Sequence, residues 1–141
     1  MGCYNSAVID APADKVWSKL RNFYDLSWAP AVVQSCERKG DAASTQIGAR
    51  RVVNGGLYET LVGLDDKART LRYSIDDGPE VLSKDNVQGY VGEVRVFPVT
   101  DKNASFVLWT SSWENSGGGV AEFCNPLYGA LLGELKKSFA R

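Results

Sequence analysis

The stretch GGVAEFCNPLYGALLGELKKSFAR, residues 118–141, decides how the rest of the chain must be arranged. Its apolar residues Val120, Cys124, Tyr128, Leu131, Leu135 and Phe139 recur at steps of three and four. That spacing predicts one apolar face of an α-helix of roughly six turns, at about 3.6 residues per turn. Glu122, Glu134, Lys136 and Lys137 fall mostly off the stripe. Pro126 lies inside the pattern. It either kinks the helix or opens its regular part, with Asn125 as cap. A helix with an apolar face needs an apolar surface to lie on. Almost everything between Val32 and Glu114 reads as strand, so that surface is a curved antiparallel sheet. A long helix clasped by such a sheet encloses more volume than side chains alone fill. An internal cavity is expected on that ground.

Upstream, residues 4–9 read as a first strand. A helix follows, with Asp10 as cap, Pro12 in an early position and Asp14 at the positive end of the dipole. Val16, Trp17, Leu20 and Phe23 form its apolar face, and residues 26–30 read as a second short helical turn stopped by Pro30. Six strands are predicted at 32–38, 48–54, 57–64, 70–76, 87–99 and 104–114. Gly55-Gly56 is the hairpin signal between the second and third of these. Residues 80–86 read as a loop, and 116–119 as a flexible approach to the last helix. The predicted class is α+β, with about seven antiparallel strands curved around a long C-terminal helix and two short helices after strand 1. One domain over residues 1–141 is expected.

Composition excludes several functions. Apolar residues make up 44% and charged residues 23% of the chain, ordinary for a soluble globular protein. Sixteen basic and seventeen acidic residues are well mixed, so no basic stripe points to nucleic acid. No apolar run reaches the roughly 18 residues of a membrane span, and the N-terminus lacks a secretory pattern. A cytoplasmic protein without stable membrane insertion is expected, as a monomer or weak homodimer. Met1 to Ser6 match the loose myristoylation pattern, with Cys3 as a palmitoylation site, but a strand from Tyr4 leaves almost no free arm. The chain has no histidine, which removes Ser-His-Asp, Cys-His and His-based zinc chemistry. Cys3, Cys36 and Cys124 are far apart and form no CxxC, so they read as reduced thiols. No cofactor and no metal are expected.

Alternate residues of a strand share a face. By that parity Ala49, Arg51 and Val53 turn one way, as do Leu57, Glu59, Leu61 and Gly63. Glu93 and Arg95 belong in water, which turns Tyr90, Gly92, Val94 and Val96 inward. Tyr73, Trp109 and Trp113 follow by the same rule, and Tyr128 comes from the last helix. Two readings of this aromatic set stand side by side: a packed aromatic core, and a ligand chamber with a few placed polar groups. Glu59 is the most informative residue, a carboxylate on an apolar face with Arg51 as its neighbour on the adjacent strand.

The order of elements, with "IDAPADKVWSKLRNF", "WAPAV", "GARR", "LDDKARTLRYSI" and "YVGEVRVFPV", resembles the START-like, Bet v 1-like proteins of the SRPBCC polyketide cyclase/dehydrase type. The resemblance covers essentially the whole chain and implies a helix-grip fold with a hydrophobic cavity. Within that group the chain is similar to the branch of lachrymatory factor synthase-like proteins. The shared run is Gly48-Ala49-Arg50-Arg51, Glu59-Thr60-Leu61, Arg69 to Ile75 and Tyr90 to Pro98. That branch implies a polar site at Arg51, Glu59 and Tyr90. The chain lacks the gate and latch histidine of abscisic-acid receptors and the Gly-rich loop of pollen-allergen relatives.

Two functions are therefore expected. One is binding of a small hydrophobic ligand, lipid-, polyketide- or sterol-like, contacted by Arg51, Glu59, Leu61, Tyr73, Tyr90, Trp109, Trp113, Trp28, Cys124, Tyr128 and Leu131. The other is a cofactor-free cyclase, isomerase or dehydratase, with Glu59 moving a proton, Arg51 holding an oxyanion and Tyr90 donating a hydrogen bond.

Overall fold

The computed structural model of the protein describes residues 1–140. Strand β1 (Gly2–Ile9) is followed by helix α1 (Ala13–Leu20). Strands β2 (Cys36–Lys39), β3 (Arg50–Val53), β4 (Leu57–Asp65) and β5 (Thr70–Asp77) come next. A 3-10 turn at Glu80–Leu82 leads to the short β6 (Val87–Gln88). Strands β7 (Val91–Val99), β8 (Ala104–Ser112) and β9 (Asn115–Ser116) precede helix α2 (Val120–Ser138). Seven strands form one antiparallel sheet in the order β1-β8-β7-β5-β4-β3-β2, while β6 and β9 pair separately. The α+β architecture expected above is the observed one. Arg141, the end of the predicted helix, lies outside the described residues.

Helix α2 runs unbroken through Pro126, six residues into it. Asn125 therefore caps nothing; it lies within the helix and its Oδ1 accepts from Asn5 of β1 at 2.9 Å. The predicted stripe is buried at Val120, Cys124, Tyr128, Leu131 and Leu135. Glu122 in the first turn and Lys136 and Lys137 in the last complement the helix dipole.

Several local expectations are corrected. Pro12 takes the N-cap position of α1 in place of Asp10, with no side-chain cap. No second helix forms at 26–30. That segment is a run of turns in which Ala29 N–H reaches Leu26 O and Val32 and Val33 N–H reach Ala29 O. The β3–β4 hairpin centres on Asn54-Gly55, not Gly55-Gly56. Both central residues have positive φ, 53° and 72°. This is the primed turn whose twist matches the strands. The predicted strand at 87–99 breaks at Gly89, where φ is 70°. Glu134 lies off the apolar stripe yet is only 6% exposed, because Oε1 accepts the Ala31 N–H at 2.7 Å.

Gly63 also departs from its expected place. The register of β4 on β5 shifts between Leu61 and Gly63. Past that bulge the side-chain faces exchange. Gly63 pairs with Arg72 and lies against its outward side chain, while Leu64 pairs with buried Leu71. Gly92 stays inward. It pairs with Tyr73 across β5 and β7, and a Cβ built on it would enter the Tyr73 ring. Gly92→Ala is expected to destabilise the protein by about 1–3 kcal/mol through overpacking. Urea unfolding checks this, and a variant as stable as wild type would mean that the Tyr73 ring does not depend on that gap.

Candidate functional site

The polar centre is built by one hairpin. The Asn54-Gly55 turn sets the register so that Arg51 of β3 faces Glu59 of β4 directly. The inward parity expected for both is observed, at 6% and 5% exposure. Arg51 Nε donates to Glu59 Oε1 at 2.8 Å, and Nη2 lies 2.7 Å from the same oxygen. Nη1 donates to the Phe23 carbonyl at 2.7 Å, and the guanidinium stands 3.9 Å from the Phe23 ring centre. Burial pushes the Glu59 carboxyl above its ordinary value, and the adjacent Arg51 charge opposes that rise.

Beside this pair lies a chain of aromatic polar groups. Trp109 Nε1 donates to the Tyr73 hydroxyl at 2.9 Å, and Tyr73 donates to Tyr128 at 2.9 Å. Tyr128 and Tyr90 share a close hydroxyl–hydroxyl contact, and Tyr90 donates to Cys124 Sγ at 3.3 Å. Stacking holds the rings: Trp109 on Tyr128 at 5.1 Å and Tyr90 on Trp113 at 5.8 Å between centroids. Burial raises all three phenols above their usual range and pushes the Cys124 thiol up to about 11.

Between sheet and α2 lies a cavity of about 270 Å³. Arg51, Glu59, Tyr73, Trp109, Cys124, Tyr128 and Leu131 line it, as do Leu57, Ile75, Leu82, Phe123 and Leu127. Four residues expected at the ligand do not. Tyr90 does not line the cavity; its hydroxyl is taken up by Tyr128 and Cys124 of α2. Trp113 packs on Tyr90, while Leu61 and Trp28 are absorbed in the core. Strand parity reports inward direction only, and an inward residue can still have another side chain between it and the cavity.

Sequence reasoning missed two supports. Phe23 was placed on a helix face, yet its carbonyl completes the Arg51 site. Asn54 pins the cavity rim: Oδ1 accepts from Gln34 and Ser35 N–H at 2.7 and 3.2 Å, and Nδ2 donates to Val32 O at 3.0 Å. The Asn-Gly pair was the available signal for Asn54; nothing local marks the Phe23 carbonyl. Among the described residues no group of three or more His, Cys, Asp or Glu side chains is placed to hold a metal. No helix among them is long and apolar enough to cross a membrane.

Comparison with known proteins places this geometry. The family model described as "Polyketide cyclase / dehydrase and lipid transport" matches residues 3–140. The chain belongs to that family. A solved structure of a Nitrosospira multiformis protein is 39% identical, with a TM-score of 0.96 over 99% of this chain and 97% of that one. A Thermobifida fusca protein solved by NMR is 26% identical, with a TM-score of 0.79 over 98% and 92%. The Bacillus cereus protein XoxI shares the fold at 22% identity and a TM-score of 0.80, over 98% and 94%. No functionally curated protein matches the chain significantly.

The buried carboxyl gives a pH signature for this family member. The folded chain holds the Glu59 proton more tightly than the unfolded chain does. Above the ordinary value of 4.5 the unfolded state carries fewer protons at this position, so stability falls as pH rises through the folded value. The unfolding free energy of wild type minus that of Glu59→Gln is expected to decline as pH is raised from 4.5. Urea denaturation at several pH values reads this difference, and a difference that rises with pH contradicts it.

Proposed function

We propose that the protein binds a compact apolar molecule with one polar end, seated between the curved sheet and α2. The observation that carries this reading is a cavity of about 270 Å³ whose wall is mainly apolar and whose charges are the buried Arg51–Glu59 pair. Stability alone does not call for such a pair, since packed hydrophobic residues of similar volume are often as stabilising. The family description, cyclase, dehydrase and lipid transport, agrees with a hydrophobic ligand. The volume lies near the lower end of ligand pockets, about 300–1,000 Å³. It favours a ligand of one or two rings over a sterol or a two-chain lipid.

The raised proton affinity of Glu59 supports a second reading, cofactor-free acid–base chemistry. Glu59 would transfer a proton to or from the ligand, and Arg51 would stabilise the oxyanion that develops. Tyr128 and Tyr73, which line the cavity, take the place first given to Tyr90. Glu59→Gln separates the readings once a ligand has been recovered from the host by native mass spectrometry. A carrier variant still binds it; an enzyme variant binds it and no longer converts it.

The cavity itself is tested with N-phenylnaphthylamine, a neutral fluorescent probe. Wild type is expected to bind it with enhanced emission. Leu131→Trp, which adds volume to the lining, should weaken binding by about tenfold or more, equivalent to about 1.4 kcal/mol. Equal binding by a folded variant, or none by wild type, rules out this site.

A further inference from the structure

The polar groups bordering the cavity differ in what they still have to offer. Trp109 carries an indole N–H and no acceptor, and it donates to Tyr73. Tyr73 passes its own proton to Tyr128. At the far end Tyr90 gives its proton to Cys124 Sγ. With the Tyr90 proton so committed, the proton in the close Tyr90–Tyr128 contact comes from Tyr128. The chain therefore runs one way, from Trp109 through Tyr73, Tyr128 and Tyr90 to Cys124.

A phenol has one proton and accepts up to two hydrogen bonds. Tyr73 and Tyr128 have each committed their proton and accepted one bond. Each keeps one acceptor position and no donor. Glu59 adds another acceptor, because both Arg51 contacts fall on Oε1 and leave Oε2 outside the pair. Arg51 is the one cation among the lining residues, and the one lining carboxylate already sits on it.

Resting on the cavity-binding reading, we propose that this site selects a neutral ligand whose polar end is a hydroxyl, donated to the Tyr73–Tyr128 pair. A carbonyl oxygen on the same ligand would turn to Arg51, whose guanidinium has five N–H donors. An anionic head group fits badly. The only lining cation is already neutralised, and a buried charge without its own partner is strongly unfavourable. The tyrosine protons also point along the chain and away from an incoming anion. An ether fits badly for the opposite reason: it brings an acceptor to a pair of acceptors. Burial keeps the phenols protonated, so the pattern persists across neutral pH.

Displacement of N-phenylnaphthylamine by naphthol, methoxynaphthalene and naphthoate at neutral pH tests this. The three share a ring system and differ at the polar end. Naphthol is expected to displace the probe at concentrations about fivefold or more below the other two, the gain of one satisfied hydrogen bond. In Tyr128→Phe the Tyr73 proton loses its acceptor and becomes available to the cavity. The advantage of naphthol over methoxynaphthalene should then vanish or reverse, which mere loosening of the fold would not produce. If wild type takes the ether or the carboxylate as tightly as naphthol, the hydroxyl assignment is overturned while the cavity reading stands. A preference that survives in folded Tyr128→Phe also overturns it. If wild type binds no probe, the cavity reading falls first and takes this inference with it. Should Tyr128→Phe not fold, the wild-type ranking alone decides.

Discussion

The Arg51–Glu59 pair constrains more of this structure than any other single contact. Two charges removed from water are tolerated only when each has good partners. Strands β3 and β4 must therefore be in the one register that sets Arg51 opposite Glu59. A slip of one residue would set Arg51 opposite Tyr58 or Thr60 and leave Arg51 and Glu59 on opposite faces of the sheet, each charge without the other. Arg51 also needs an acceptor beyond the carboxylate, and it finds the Phe23 carbonyl. The segment after α1 is thereby laid across the far end of the sheet. Glu134 on α2 holds the same segment from the other side through the Ala31 N–H. One buried pair and one buried carboxylate thus join sheet, connecting segment and helix around the cavity.

The aromatic chain solves a related problem on the opposite wall. Tyrosine and tryptophan bring large apolar surfaces, but their polar ends need partners once buried. Here they partner one another, from Trp109 to Cys124, and no water is required to complete the series. Gly92 makes room for the Tyr73 ring, so the position of one hydroxyl depends on a missing side chain two strands away from β4. Trp109 stacks on Tyr128 and Tyr90 on Trp113, Tyr73 meets Trp109 edge-on, and hydrogen bonds join Trp109, Tyr73, Tyr128 and Tyr90 in series. A wall tied together in this way, with acceptors left uncommitted, is suited to distinguish ligands by their polar end.

Much of this was legible in the chain. The steps of three and four in residues 118–141 foretold α2 and the inward turn of Tyr128, and strand alternation foretold that of Arg51, Glu59, Tyr73 and Trp109. Parity failed at Gly63, because a bulge carries no strong local mark and reverses every face beyond it. It was insufficient at Tyr90, Trp113, Leu61 and Trp28, which are buried without reaching the cavity. Helical propensity failed at residues 26–30. There, backbone turns replace a helix, and the next residue, Ala31, is held by Glu134, more than a hundred residues away.

What the sequence alone determined are the properties that depend on neighbours along the chain. These are the periods of helix and strand, the presence of a hairpin turn next to Gly55, the placing of the Arg and Glu on facing hairpin strands, and the absence of histidine chemistry. What only the tertiary structure decided are the properties that depend on distant groups meeting. Which tyrosines touch the cavity and which way the hydroxyl protons run required α2, β5, β7 and β8 to be in place, and the last acceptor for Arg51 required the segment after α1 to reach the β3–β4 hairpin. The physical reason is range. Periodicity and turn chemistry act over a few residues, whereas hydrogen bonding among buried groups is settled by whichever partners the fold brings within about 3 Å.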